Sequence, residues 1–393
     1  MLCAVVVSIA PHVADAELRL SAAEALRRAH AAAPDLRVAR GREGVAQAEV
    51  GVAGIYPNPT VAGATSTQAA KFGVTVSVPL VLLGQRGAAV AASRAELDTV
   101  KVDGEVAWAD VRASAGRAFV GLWLAQERAA ARQEEVAIAR RLDQIVTSRV
   151  EVGAAPEVDA LRTRAERLRA EADAREADEL VEAAGADLAY FVGANESIRA
   201  DGEYGVPADA PALTTLLARL DVNPNVRRET SDARAADARA DRERALVRPA
   251  PVLDLGADFG DPTLPTTNYR AQLALEVPLF TQRGPQIDRE RAAAATARSR
   301  ADAERARARA SLESAYHVFL GADARAKTLR FGVVATADEA AKRTEESYGL
   351  GRAQLVAVLD AARARLDARL ALAEAIAARS NAWIEITRAV GEP

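Results

Sequence analysis

The chain contains itself twice, and this constrains its fold more than any other feature. Val78-Pro79-Leu80 followed by Gln85-Arg86-Gly87 returns as Val277-Pro278-Leu279 followed by Gln282-Arg283-Gly284. Val152-Gly153 returns as Leu350-Gly351, and Phe191-Val192-Gly193 as Ala389-Val390-Gly391. Upstream, Tyr56-Pro57-Asn58-Pro59 is echoed by Arg248-Pro249-Ala250-Pro251, and Pro34 by Pro224. The spacing is 197 to 199 residues at the first four anchors and slightly shorter near the start of each half. Chance supplies one such match but not an ordered series, so the chain reads as a structural unit used twice. The expected repeats are 17–193 and 211–393, joined by a linker at 194–210 that is rich in glycine, proline and acid.

Each half carries the same succession of signals. An amphipathic helical segment comes first, about Ser21 to Gly54 and Pro211 to Val247, with Leu26, Ala29, Ala33 and Leu36 at helical spacing. Pro34 and Pro224 are expected to break these segments near their starts, and Pro57 and Pro249 to stop them. A hairpin follows in each half, within 55–82 and 249–281. Thr60–Thr67 pairs with Phe72–Val78, and Val252–Gly260 with Asn268–Val277 across Asp261-Pro262. In the last of these, Tyr269, Ala271, Leu273, Leu275 and Val277 alternate with Arg270, Gln272, Ala274 and Glu276. That is the period of a strand with one apolar and one polar face.

Long helices come next, from Gln85 to Val150 and from Pro285 to Tyr348. At 1.5 Å per residue each would span on the order of 100 Å. Glycine turns at Gly153 and Gly351 end them, and return helices run from Pro156 to Phe191 and from Ala353 to Val390. Leu355, Leu359, Leu366 and Leu370 space a coiled-coil seam. The fold class expected is mainly α with β-hairpins: tandem-duplicated long antiparallel helices plus four strands.

Composition excludes several functions. Acidic and basic side chains, 55 and 51, are interspersed, so no basic stripe offers itself to nucleic acid. No stretch beyond Ala16 is apolar for 18 residues, which argues against a transmembrane helix. Leu2 to Ala10 is apolar and Val13-Ala14-Asp15-Ala16 offers a small-residue site, the pattern of a secretory signal at 1–16. Cys3 is the only cysteine, so no intrachain disulfide forms. His12, His30 and His317 are too few and dispersed for a metal site. No nucleophile–base set or phosphate loop appears, so the chain is read as no enzyme and as holding no cofactor. If it meets a membrane it must do so with its strands, and four strands per chain require several chains to close a barrel. Tyr56, Phe72, Phe259, Tyr269 and Phe280 lie at strand ends, where an aromatic girdle or a hairpin cap would place them.

The runs GIYPNPTV, VPLVLLGQRG, VPLFTQRGPQI, EVGAAPEVDAL and GLGRAQLVAVLDA resemble the outer-membrane efflux protein family, the TolC-like channels, over nearly the whole chain. The Pro-Asn-Pro entry and Gly-Gln-Arg-Gly exit are most similar to its cobalt–zinc–cadmium and copper resistance branch. The resemblance implies a homotrimer whose hairpins pool into one barrel in the outer membrane and whose helices form a tunnel through the periplasm. It implies a periplasmic adaptor protein and an inner-membrane pump, of the resistance-nodulation-division type, as partners. The implied activity is passive export, with heavy-metal cations as cargo. Val152, Gly153, Leu350 and Gly351 match the tip that meets the adaptor, though glycine there also serves the turn itself. Tyr348 matches a tip tyrosine that holds the entrance shut, and Arg149 and Arg352 are candidates to pair near that tip. Asp159 and Asp360 resemble entrance acids that threefold symmetry would turn into rings biased toward cations. Ala357 and Arg162 take the alternate positions, a departure from a full acidic gate. The competing reading of the residues is a periplasmic coiled-coil scaffold or adaptor that does not span the membrane.

Overall fold

A computed structural model describes residues 17–65, 67, 71–260, 267–277, 279–280 and 282–391. The signal segment with Cys3 and His12, and the turn at Asp261 to Pro265, lie outside them. The first half begins with a short strand β1 (Leu18–Leu20), then α1 (Ala22–Ala32) and α2 (Pro34–Ala53). Strands β2 (Thr60–Thr65) and β3 (Phe72–Pro79) lead into α3 (Gln85–Glu151), 67 residues without a break, and α4 (Glu157–Val192). After β4 (Ile198–Ala200) the second half repeats the order. It has α5 (Leu213–Leu217), a 3-10 turn (Leu220–Val222), α6 (Pro224–Ala245), β5 (Pro251–Phe259), β6 (Asn268–Leu275) and α7 (Gly284–Thr328). A single π turn (Leu329–Val333) joins α7 to α8 (Val334–Gly349), and α9 (Leu355–Ala389) closes the chain.

Local chemistry explains the boundaries. Ser21 caps α1, its hydroxyl accepting from the Glu24 amide at 3.3 Å, the start of a capping box. Pro34 breaks the helical segment as expected. Its counterpart Pro224 is the first residue of α6, where its missing N–H is no loss. Asn223 caps that helix, its Oδ1 accepting from the Asn225 and Val226 amides at 2.9 and 3.3 Å. Two features escape the sequence signals. The linker contains β4, which pairs in parallel with β1. The second long helix is not continuous: Gly284 to Gly351 is one residue longer than Gly87 to Gly153, and a π turn is an α-helix with one residue inserted.

Two compact units emerge, each drawing on both repeats. One comprises residues 17–36, 108–219 and 309–391; the other comprises 37–107 and 220–308. In the first, Leu20, Phe119, Leu122, Leu188, Ile198 and Ile384 form a core at the foot of the β1–β4 pair. Gln126 ties that pair to α3, donating to the Ala200 carbonyl at 3.1 Å and accepting from its amide at 2.7 Å. In the second, the buried hydrophobic positions are mostly alanine, among them Ala235, Ala236, Ala240, Ala294 and Ala297. Small side chains let helices approach closely but bury little area each, so each seam is thin.

Asn223 is nearly fully buried at 4% exposure and satisfies two amides that have no helical partner. Asn223→Ala is expected to destabilise the second unit by about 1–2 kcal/mol. Ser21→Ala, at a more exposed cap, should cost no more than about 1 kcal/mol. Thermal midpoints of the purified variants, followed by helical circular dichroism, check the order.

Candidate functional site

Two places in the fold carry chemistry, the strand sheet in the second unit and the glycine turns in the first. The sheet has the order β2-β3-β5-β6 and is antiparallel throughout. Its register sets Val61 against Val76, Val76 against Leu255, and Leu255 against Ala271. The next rows are Val78, Leu253 and Leu273, then Val74, Ala257 and Tyr269. Directly paired residues share a face, so one side is apolar across all four strands. The other side carries Thr75, Ser77, Asp254, Gln272, and Asp258 paired to Arg270 at 2.9 Å. The apolar face is uncovered: Val61, Leu273 and Tyr269 are 72%, 64% and 80% exposed. Strands β2 and β6 are open edges. Phe72 and Phe259 meet at one end of this face, ring centroids 6.2 Å apart, while Phe280 stands fully exposed beyond β6.

The duplicated Gln-Arg-Gly motif locks the helices to this sheet. Gln85 Nε2 donates to the Arg248 and Pro249 carbonyls of the other half at 3.2 and 3.1 Å. Arg248 returns a bond to the Leu83 carbonyl at 2.7 Å. Arg86 donates to the Gly54 carbonyl at 2.6 Å and lies over the Tyr56 ring at 4.4 Å. Tyr56 thus belongs to this junction. In the second half Arg283, in the left-handed region at φ 53°, pairs with the mostly buried Glu243 at 2.6 Å. The sequence marked the motif without its role, because its partners lie far away in the chain.

The glycine turns share one geometry. At the first, the Ala154 amide donates to the Arg149 carbonyl at 2.7 Å and the Gly153 amide to that of Val150 at 2.9 Å. At the second, Arg352 donates to Ser347 at 2.8 Å and Gly351 to Tyr348 at 2.9 Å. Both are Schellman turns with glycine at φ +73°, a conformation that penalises any side chain. Val152 and Leu350, just before them, are 78% and 70% exposed. Tyr348 is buried, packed with Leu142, Val146, Leu355 and Val358. Arg149 holds it by lying over its ring at 4.6 Å and donating to its carbonyl at 3.2 Å. Asp159 sits in the first turn of α4, where a carboxylate complements the helix dipole, and Asp360 is exposed on α9. Neither makes an ion pair among the described residues.

A four-charge clamp in the first unit has no signal in the sequence. Arg365 pairs with Glu134 at 2.5 Å and with Asp338 at 2.6 Å; Arg369 pairs with the same two acids. It joins α3, α8 and α9. The two arginines lie one turn apart on α9, a spacing visible in sequence, but nothing local reveals their partners. Arg141–Glu345 at 3.0 Å and Arg363–Glu166 add further links from α3 and α4 to α8 and α9. Burial raises the Asp338 carboxyl, but hydrogen bonds from Arg369 and Arg365 outweigh it and hold the group below its usual value. Among the described residues no helix is long and apolar enough to cross a membrane, and no cluster of His, Cys, Asp and Glu fits a metal.

A model of the outer membrane efflux protein family matches residues 10–194 and 218–392, one stretch in each half. The chain belongs to that family. The double match removes the scaffold or adaptor reading, and the chain is a transport conduit, not an enzyme. Solved outer-membrane channels share its fold. A membrane protein from Pseudomonas aeruginosa superposes with a TM-score of 0.79 at 16% identity, covering 94% of this chain and 90% of the other. The outer membrane protein VceC from Vibrio cholerae gives 0.74 at 15%, covering 94% and 96%. CusC gives 0.72 at 15%, covering 95% and 92%. No curated protein matches the sequence.

Because Asp338 is held low, the clamp's contribution is present above the ordinary carboxylate value of 3.8 and is lost as pH falls through the lowered folded value. Removing one acid leaves two arginines sharing the other. Asp338→Asn is expected to lower the stability of the efflux channel by roughly 1 kcal/mol at pH 7. The difference from wild type should shrink as pH falls through the lowered Asp338 value, where the wild-type carboxyl protonates too. Thermal midpoints of both chains across pH check it; a gap that widens on acidification contradicts the clamp.

Proposed function

We propose that three copies of this chain form the outer-membrane channel of a tripartite efflux system, a passive conduit for solutes driven by an inner-membrane pump through a periplasmic adaptor. The observation that carries this is the sheet whose apolar face is bare and whose edges are open. Lipid covers such a face, and strands of neighbouring copies satisfy such edges. The long helices would then extend into the periplasm, and each repeat would supply one hairpin and one helix pair to the assembly.

The glycine turns are the proposed adaptor contact. Val152 and Leu350 present apolar side chains that are largely exposed among the described residues, and Gly153 and Gly351 fix the turns that display them. Tyr348, clamped by Arg149, would hold the entrance closed by keeping α8 against α3, and Asp159 and Asp360 would line that entrance. Their lack of arginine partners among the described residues leaves their charge available to a passing cation. The pump is proposed to be of the resistance-nodulation-division type. Heavy-metal cations are the proposed cargo, on the Tyr-Pro-Asn-Pro and Gly-Gln-Arg-Gly motifs; the fold likeness does not separate CusC from the other channels.

The channel is expected in the outer-membrane fraction and, in planar bilayers, to conduct with a preference for cations. Asp159→Ala with Asp360→Ala should reduce that preference several-fold while leaving assembly intact. Unchanged selectivity would remove both acids from the entrance. Deletion of the gene should raise sensitivity to divalent metals; sensitivity to drug-like solutes alone would reassign the cargo.

A further inference from the structure

Within the paired rows of the four-stranded sheet, the charged side chains are Asp254, Asp258 and Arg270, all on the polar face. The register gathers them. Arg270 stands directly opposite Gly256, and Asp254 and Asp258 flank that glycine two residues to either side. Residues two apart on a strand share a face, so each aspartate is a diagonal neighbour of Arg270 and within reach of a long side chain. One arginine therefore serves two acids, and only one of them can receive the paired bonds that a guanidinium offers a carboxylate.

Arg270 takes Asp258. Its Nε lies 2.9 Å from Asp258 Oδ2, and its Nη2 donates to Oδ1 at 3.1 Å. Asp254 makes no ion pair among the described residues, and its partners across the strands are the uncharged Ser77 and Gln272. Glycines account for the direction. Opposite Asp258 on β3 stands Gly73, where a Cβ would come within 2.7 Å of Asp258 Oδ1. The carboxylate occupies space that a side chain at 73 would take. Opposite Asp254 that space belongs to Ser77. Gly256 leaves the way open for the guanidinium, whose Nη2 lies 3.6 Å from where a Cβ there would stand.

We infer that Asp254 is a charge-selecting residue of the pore wall, and that Arg270, directed by Gly73 and Gly256, neutralises Asp258 so that one unbalanced carboxylate per copy faces the lumen. The inference rests on the multi-chain channel reading, in which lipid covers the apolar face of the sheet and water fills the space on the other. Copies related by symmetry set their Asp254 carboxylates at one level of the wall, and such a ring favours cations. The Asp258–Arg270 pair adds no net charge beside it. This element is separate from the proposed entrance acids, since Asp159 and Asp360 belong to the other compact unit.

The test is the reversal potential of the full chain in planar bilayers under a potassium chloride gradient. Salt is held near 0.01 M, where a charge acts over about 30 Å. Asp254→Asn should lower the cation-to-anion permeability ratio several-fold. Arg270→Gln frees a second carboxylate and should raise it. Asp258→Asn releases Arg270 toward Asp254 and should lower the ratio as Asp254→Asn does; adding Arg270→Gln to it should restore the wild-type ratio. Opposite signs from neighbouring substitutions separate a role in charge from a role in folding. An unchanged ratio in Asp254→Asn or in Arg270→Gln overturns the assignment. So does loss of these differences in the Asp159→Ala, Asp360→Ala background, where they should persist. A wild-type chain that forms no conducting pore overturns the channel reading itself.

Discussion

The pairing of β3 with β5 is the contact on which the rest depends. It is the only place where a strand of one repeat bonds a strand of the other within the four-stranded sheet, and it turns two hairpins into one surface. A hairpin alone is marginal, whereas four strands sharing a face are not. A slip of one residue in this register would turn Val74, Val76 and Val78 onto the side of Asp254 and Asp258. The register is therefore held from outside the sheet as well. Gln85 bonds the carbonyls just before β5, Arg248 bonds the chain just after β3, and the Leu80 amide donates to the Pro251 carbonyl at 2.7 Å.

The elements joined by that contact are legible in the sequence to unequal degrees. The fold class and the order of elements can be read, because period-two alternation in 268–277, the proline stops and the two glycine turns are local signals. Strand ends fall within two residues of those observed. The π turn is legible only in retrospect, as a change of one in the repeat spacing. The β1–β4 pair is not legible, since three-residue strands carry no period. Of the chemistry, the turn glycines are readable because left-handed backbone selects glycine. The charge clamp is not, because Glu134, Asp338 and Arg365 become neighbours only through tertiary packing.

The helices show a second constraint. Alanine-lined seams bring them close but bury little per residue, so specificity passes to charge. Arginine–acid pairs link α6 to both long helices, and α9 to α3 and α8. Exposed pairs contribute little individually. Networks in which each arginine bonds two acids fix axial register, because a shift of one turn would unpair several groups at once. A protein with thin cores and long contacts needs register more than it needs additional apolar area.

The π turn shows how the duplicated unit tolerates divergence. One residue added to an α-helix rotates everything beyond it by about 100°. In the second repeat that would swing Asp338 and Tyr348 away from α9 and α3, destroying the clamp and the Arg149–Tyr348 contact together. Confining the extra residue to Leu329–Val333 leaves Phe319 buried before it and Tyr348 buried after it. The turn is also tied down, since Leu329 packs against the core and Arg330 pairs with Glu203 at 2.6 Å. The two halves therefore keep the same inward faces while differing in local geometry at one level. Functional asymmetry between otherwise equivalent helix pairs can enter there without disturbing the seams that hold them.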